Sequence, residues 1–480
     1  MKKYLLFLLL SGLCVGSQAM DVRIRGRVSC DGRGVAGVWV SDGERFAQTD
    51  AKGRYTLTAD DANPFVFISV PAGYDAPVAD GVVRFFEPMP ADGKCDFTLT
   101  KRAGDDARYG LIITADPQIW ARKEFAKLSA AADDIAATVA QYDGMPFQGI
   151  CCGDLISHDH SFYDEYNQTM ARTGITFRNV MGNHDMTLYG RSHETSQKNY
   201  ESKFGPSYYS YNIGRVHYIC LDDNFYIGRD YFYIGYLDER QLRWLEEDLS
   251  HVAPGSTVFV AMHIPSTCEE KDRKQFRYET SAHTMTNHRG LYDLLKPYDA
   301  HIVSGHTHTT YNSPIREGLY EHVVPSLGGA WWQGELCTDG TPRGYAVFEI
   351  DEHEVRWRYK CTDYPAEYQM QVYDGRKHPE FAGYAVANIW ASDPAWEVTF
   401  TIDGKPCGPA ERFEAYDPAA RKMYADTSKM DHRWIYPSIS DHYYRVPLPE
   451  NAERIEVTAT DRFGRTYTCQ IEIVTLIDEF

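Results

Sequence analysis

Five short segments hold side chains suited to binding cations. They are Asp116-Pro117-Gln118, Gly153-Asp154, Gly182-Asn183-His184-Asp185, Met262-His263 and Gly305-His306-Thr307-His308. They offer carboxylates, neutral amide oxygens and imidazoles, a ligand set suited to divalent ions such as manganese, iron or zinc. Cleavage of a phosphate ester needs such a set. The ester is anionic and repels a nucleophile, and two cations about 3.5–4 Å apart, the general spacing of two-metal phosphatases, clamp its oxygens and acidify a water. Any one segment is weak. A lone Gly-Asp is usually a turn, and a lone histidine at a strand end is usually structural. Gly-His-x-His is stronger, because alternation aims both rings the same way. Five segments in one order do not arise by chance.

The positioning elements are legible as apolar runs. Leu111-Ile112-Ile113, Gly149-Ile150-Cys151-Cys152, Thr176–Val180 and Thr257–Ala261 read as buried strands. Phe125, Leu128, Ala132, Ile135 and Val139 recur at helical spacing, as do Leu242, Leu245 and Leu249. Buried strands alternating with helices predict an α/β layered domain over residues 105–362, closed by Tyr345–Ile350 and Glu354–Tyr359. The five segments fall at the C-terminal ends of these strands, where layered α/β folds gather ligands.

The flanks have β patterning. Over residues 20–104, turns at Asp31-Gly32, Asp42-Gly43, Lys52-Gly53 and Asp92-Gly93 punctuate strands expected at Val35–Val40 and Gly53–Leu57. Over 363–480, Trp396–Ile402 and Arg454–Ala459 alternate, with a turn at Asp403-Gly404. Two β domains are therefore expected around the α/β body. Cys30 with Cys95, and Cys407 with Cys469, are placed to staple one domain each. Cys151 and Cys152 read as buried thiols.

Residues 1–19 read as a cleaved secretory leader. Lys2 and Lys3 precede an apolar run, and Ser17-Gln18-Ala19 supplies small residues for cleavage. Leu13 before Cys14 is too large for a lipidation signal. The expected location is the periplasm or outside the cell, and no other segment is apolar enough to span a membrane. Losing the two lysines takes the formal net charge from −19 to −21. With no basic run to offset it, such a surface excludes nucleic acid as a partner. Oligomeric state is not encoded in any feature of the sequence.

The ordered motifs resemble the calcineurin-like metallophosphoesterase superfamily, whose pattern runs Asp-x-His, Gly-Asp, Gly-Asn-His-(Asp/Glu), His, Gly-His-x-His. The resemblance covers roughly residues 108–360. The architecture also resembles Bacteroidetes-type members with N- and C-terminal β domains, and residues 34–55 resemble carboxypeptidase-regulatory-like, transthyretin-type sandwiches. The resemblance implies a four-layer sandwich of two mixed sheets flanked by helices. It implies one metal held by Asp116, Gln118, Asp154 and His308, and a second by Asp154, Asn183, His263 and His306, with Asp154 bridging. It casts His184 as a catalytic group that binds no metal, and Asp185 as the carboxylate orienting its ring. Gln118 stands where the family has histidine. Its harder amide oxygen favours Mn²⁺, and some Mn-dependent nucleotide-diphosphate hydrolases are similar here.

The expected activity is hydrolysis of an organic phosphate, with sugar- and nucleotide-containing esters as candidates and the balance toward a diester or pyrophosphate bond. A phosphomonoesterase, either nucleotidase or sugar phosphatase, is the alternative within the class. A glycan-binding envelope protein with an inert phosphoesterase body is the alternative outside it. The insertion Pro265–Arg289, carrying Lys271, Arg273, Lys274, Arg277, His283 and His288, is either a substrate loop or a solvated surface. The aromatic groups Phe225-Tyr226, Tyr231-Phe232-Tyr233 and Trp331-Trp332 are either stacking platforms or core. Gly328-Gly329 allows close backbone approach.

Overall fold

The apolar runs become the strands of two mixed sheets packed face to face. The first has the order Phe177–Asn179, Phe147–Cys151, Arg108–Thr114, Gly344–Asp351, Glu354–Cys361. Its first three strands are parallel and its last two antiparallel. The second runs Tyr209–Ile213, Val216–Cys220, Thr257–Ala261, Asp299–Ser304, Leu319–Val323, Tyr311–Arg316, with the four inner strands parallel. Residues 20–104, 106–228, 232–267 and 278–473 are described by this computed structural model. The expected leader, Tyr231, and Lys271, Arg273, Lys274 and Arg277 lie outside the described residues.

Strands covered on both faces need no alternation, which is why their sequences are continuously apolar. Between the sheets Phe259 meets Phe348 edge to face at 5.6 Å, and the hydroxyls of Tyr109 and Tyr218 lie 2.6 Å apart. The helix Phe125–Val139 covers the first sheet with Phe125, Leu128, Ala132 and Ile135. The helix Glu239–Ser250 covers the second, its first turn capped by Asp238 accepting from Gln241 N at 2.7 Å. Trp244, not Leu242, takes the deep position on that helix. Helix, sheet, sheet and helix make the four-layer α/β sandwich expected from the sequence.

The N-terminal region is a β-sandwich. Asp21–Cys30 pairs antiparallel with Arg54–Asp60 and parallel with Phe97–Lys101. The second sheet orders Phe86–Pro88, Phe65–Ile68, Trp39–Ser41 and Phe46–Gln48. The strand expected over Val35–Val40 is broken by a turn at Gly37, whose φ is +75°, so pairing starts only at Trp39. This sandwich is seated on Glu239–Ser250. Trp39 stacks on His251 at 3.5 Å, and Trp244 Nε1 donates to Ser41 Oγ at 3.2 Å.

The C-terminal region has two four-stranded sheets. One is built on Met370–Asp374, Tyr384–Ile389, Ile439–Pro447 and Glu411–Tyr416. The other is built on Lys405–Pro406, Glu397–Ile402, Arg454–Thr460 and Thr466–Glu472. It is fastened to the body through Asp339, which accepts from Thr310 N at 2.8 Å and lies 3.3 Å from His442 Nε2.

Neither expected disulfide is present; the nine described cysteines are free thiols. Register explains both cases. Cys30 pairs with Leu99, four residues beyond Cys95, an offset of about 13 Å along the strand. Cys407 bonds to Phe400, which faces Val457, which faces Cys469. That puts three strand spacings, about 14 Å, between the sulfurs' backbones. Cys151 and Cys152 are buried as expected.

Candidate metal centre

All the motif residues converge at one end of the two sheets. Asp116 follows Arg108–Thr114, Asp154 follows Phe147–Cys151, Asn183 and His184 follow Phe177–Asn179, His263 follows Thr257–Ala261, and His306 and His308 follow Asp299–Ser304. Leaving a strand sharply forces unusual backbone angles. Asp116 (51°), Gln118 (39°), Asp154 (53°), His306 (69°) and His308 (52°) all have positive φ. Such conformations cost about 1–3 kcal/mol each and persist where the surroundings hold them.

The motif glycines have a steric reason. A Cβ on Gly182 would lie 2.1 Å from Asp154 N, and one on Gly305 would lie 2.5 Å from Asp116 Oδ2. Gly182 lets two loops cross at backbone contact, and Gly305 makes room for the carboxylate of Asp116. His184 N donates to Asp154 Oδ1 at 2.7 Å, and His306 N donates to Asp116 Oδ2 at 2.8 Å.

Three imidazoles have their tautomers set by backbone carbonyls, which only accept. His263 Nδ1 donates to Cys152 O at 2.7 Å, His308 Nδ1 to Gly329 O at 3.0 Å, and His306 Nε2 to Ala282 O at 2.9 Å. In the neutral form of each ring, the opposite nitrogen then presents its lone pair inward. His263 Nε2 lies 3.0 Å from Asn183 Oδ1, 3.1 Å from His306 Nδ1 and 3.4 Å from Asp154 Oδ1. His308 Nε2 lies 3.5 Å from Asp116 Oδ1. Gln118 Nε2 reaches Asp154 Oδ2 at 3.2 Å, while its own Oε1 and Asp116 Oδ1 are buried without a hydrogen-bond partner. Buried carboxylate and amide oxygens left without a partner are costly unless a cation lies among them. Asp154, His263 and His306 present ligand atoms within 4.8 Å of one another. The donor set around Asp154, His263 and His306 therefore fits a divalent metal.

Around Asp154 the electrostatics favour positive charge. Burial works to lower the His263 pKa, but the carboxylate of Asp154 overrides it and holds it up at about 10. Burial works to raise Asp154, and His263 and His184 hold it well below the usual carboxylate range. His184 is pushed down to about 3 by burial, against the pull of Asp154.

One expected role fails. Asp185 does not orient the His184 ring. Its carboxylate accepts from Gly182 N at 2.9 Å, Leu155 N at 3.2 Å and Tyr163 OH at 3.2 Å. It braces the loop backbone, and burial raises its pKa to about 7. The hydroxyl of Ser157 stands 3.2 Å from His184 Nδ1 instead, and His184 Nε2 lies 4.0 Å from Asp154 Oδ2. Ser157 was not expected from the sequence, and neither was His158, whose ring lies 4.4 Å from that of His184. The run Ser157-His158-Asp159-His160 close behind Gly-Asp was the available signal. Trp332 and Trp331 also divide. Trp332 is core and donates to Pro117 O at 2.7 Å, whereas Trp331 stacks on His308 at 4.2 Å. From the insertion, His283 reaches the site, its ring 5.3 Å from that of His306.

This fold and donor set define a metallophosphoesterase, a hydrolase of phosphate esters. Residues 111–310 match the family described as Calcineurin-like phosphoesterase, residues 22–102 its N-terminal family and residues 321–467 its C-terminal family. The chain belongs to the calcineurin-like phosphoesterases. Among solved structures, it is similar to a dimetal phosphatase from Danio rerio (15% identity, 53% of this chain and 96% of that one, TM-score 0.37). It is also similar to a 5′-nucleotidase from Candida albicans (10% identity, 55% and 53%, TM-score 0.33). A third is the NAD nucleotidase of Haemophilus influenzae (10%, 52% and 49%, TM-score 0.29). No curated protein matches the sequence.

Proposed function

We propose that the chain is a two-metal hydrolase of small organic phosphoesters, directed to diester or pyrophosphate bonds, that works in the periplasm or outside the cell. The observations that support this reading are the facing of His263 Nε2, His306 Nδ1 and Asn183 Oδ1 across 3.0–3.1 Å next to the carboxylate of Asp154, and the burial of Asp116 Oδ1 and Gln118 Oε1 without a hydrogen-bond partner. Asp116, Gln118, Asp154 and His308 would hold one ion, and Asp154, Asn183, His263 and His306 the other. Gln118 with its neutral oxygen favours Mn²⁺. Bound there, the ions supply Lewis-acid polarisation of the phosphoryl oxygens. The chain's own part rests on His184. If Ser157 donates to its Nδ1, Nε2 keeps a hydrogen to offer a phosphoryl or leaving-group oxygen. The Lys2-Lys3 and Tyr4–Val15 leader supports the location, and the Asp-x-Gln sequence supports the preference for a diester or pyrophosphate.

The test is hydrolysis by Mn²⁺-reconstituted protein of bis-p-nitrophenyl phosphate against p-nitrophenyl phosphate. Faster turnover of the diester is expected. Faster turnover of the monoester would overturn the diester preference, and no turnover of either would overturn hydrolysis itself.

A further inference from the structure

Beyond the metal ligands, a continuous aromatic wall runs from His308 outward, and half of it belongs to the C-terminal region. Trp331, with φ at +52°, stacks on His308. Trp434 meets Trp331 edge to face at 6.3 Å. His432 lies 4.7 Å from Trp434 and 4.9 Å from Trp120, which follows Gln118 by two residues. Trp120 and Trp434 lie 5.9 Å apart at 54°, forming an open corner, not a closed slot. They are 45% and 46% exposed, while His432 beneath them is 1% exposed and has no hydrogen-bond partner for either ring nitrogen. Two half-exposed indoles propped on a buried imidazole are a costly way to finish a surface.

Lys123, Gln333 and Lys127 beside this corner are already engaged. Lys123 pairs with Asp431. Gln333 donates to Trp331 O at 3.1 Å and accepts from Asp431 N at 3.0 Å, and Lys127 donates to Trp332 O at 2.5 Å. What the corner offers a ligand is therefore π-face, not a ring of hydroxyl-binding groups. A sugar needs the latter; a flat heterocycle needs only the former.

We propose that Trp120 and Trp434 stack the heterocyclic base of a nucleoside-type phosphoester while its phosphate lies at the metal centre. The C-terminal region thus sets substrate choice. This rests on the phosphoester reading above and names its substrate class.

The test compares two diesters with one leaving group: thymidine 5′-(p-nitrophenyl phosphate) and methyl p-nitrophenyl phosphate. Mn²⁺-loaded full-length protein is expected to favour the nucleoside ester by about tenfold in kcat/KM, as one stacked base allows. That ratio falls toward one in Trp120→Ala and Trp434→Ala and is kept in Trp434→Phe. A ratio near one in the wild type, or one that survives both alanine substitutions, overturns the proposal. A second readout needs no turnover. Adenosine added to metal-free protein should quench tryptophan fluorescence saturably, and Trp120→Ala/Trp434→Ala should abolish this. Absence of quenching in the wild type overturns the stacking site. Quenching without hydrolysis of either ester overturns the phosphoester reading alone.

Discussion

Two clusters of buried histidine lie within a few residues of each other, and they do opposite things. His301, inside the strand Asp299–Ser304, bonds through Nδ1 to His322 Nε2 at 3.0 Å; His322 Nδ1 in turn meets Asn312 Oδ1 at 2.9 Å. The pair lies between the sheets, with His301 stacked on Phe259 and His322 edge-on to Trp357. Burial pushes His301 down to about 3 and His322 well below its usual value. Just past the same strand, His306 and His308 sit in left-handed backbone and turn lone pairs toward carboxylates. Burial is common to both clusters. What separates them is where the second nitrogen points: toward a neighbour that satisfies it, or into a convergence of acceptors that only a cation satisfies.

The contrast can be broken at several places. Asp154→Asn removes the charge shared by both halves of the centre. Phosphodiester turnover should fall by about a thousandfold or more, as loss of several kcal/mol of metal stabilisation implies. Near-wild-type kcat would refute the shared role. Gly305→Ala pushes a methyl into the carboxylate of Asp116. A loss of about 10- to 100-fold in metal affinity is expected, as for groups that orient ligands, with unchanged Mn²⁺ titration counting against it. Ser157→Ala should lower kcat by about tenfold while leaving metal content intact, whereas Asp185→Asn should lower thermal stability because it loosens the loop brace. Gln118→His should stay active and shift metal preference away from Mn²⁺; identical Mn²⁺ affinity would show that Gln118 is not a ligand.

The structural pair makes the mildest prediction, on stability. The folded pKa of His301 lies near 3, below the unfolded value of about 6.5. Between these values the unfolded chain binds more protons, so stability falls as pH drops through that window. The loss is about 1.4 kcal/mol per pH unit for this histidine. Denaturant melts from pH 7 to pH 5 should show the slope, and His301→Gln should reduce it. An equal slope in the variant would mean that His301 does not titrate on unfolding.

Strand-end motifs were legible because each stands directly behind a run such as Leu111–Ile113 or Thr257–Ala261, and such runs admit one reading between two covered sheets. The four layers followed from the same alternation. Pairings between distant segments were not legible. Nothing near Asp185 in sequence says that its oxygens turn back to Gly182 and Leu155 and leave His184 to Ser157. The disulfide expectation failed for a similar reason, since placement near domain ends says nothing of strand register. Trp120 and Trp434, more than 300 residues apart in sequence, meet because contacts such as Asp339–His442 and Gln333–Asp431 fasten the C-terminal region to the body.

The most direct test of the account is metal content. Elemental analysis of the Mn²⁺-reconstituted full-length protein should find about two ions per chain, falling below one in Asp154→Asn and staying near two in His301→Gln. Less than one ion per chain in the wild type, or full loading in Asp154→Asn, would contradict the claim that these convergent acceptors form a shared two-metal centre.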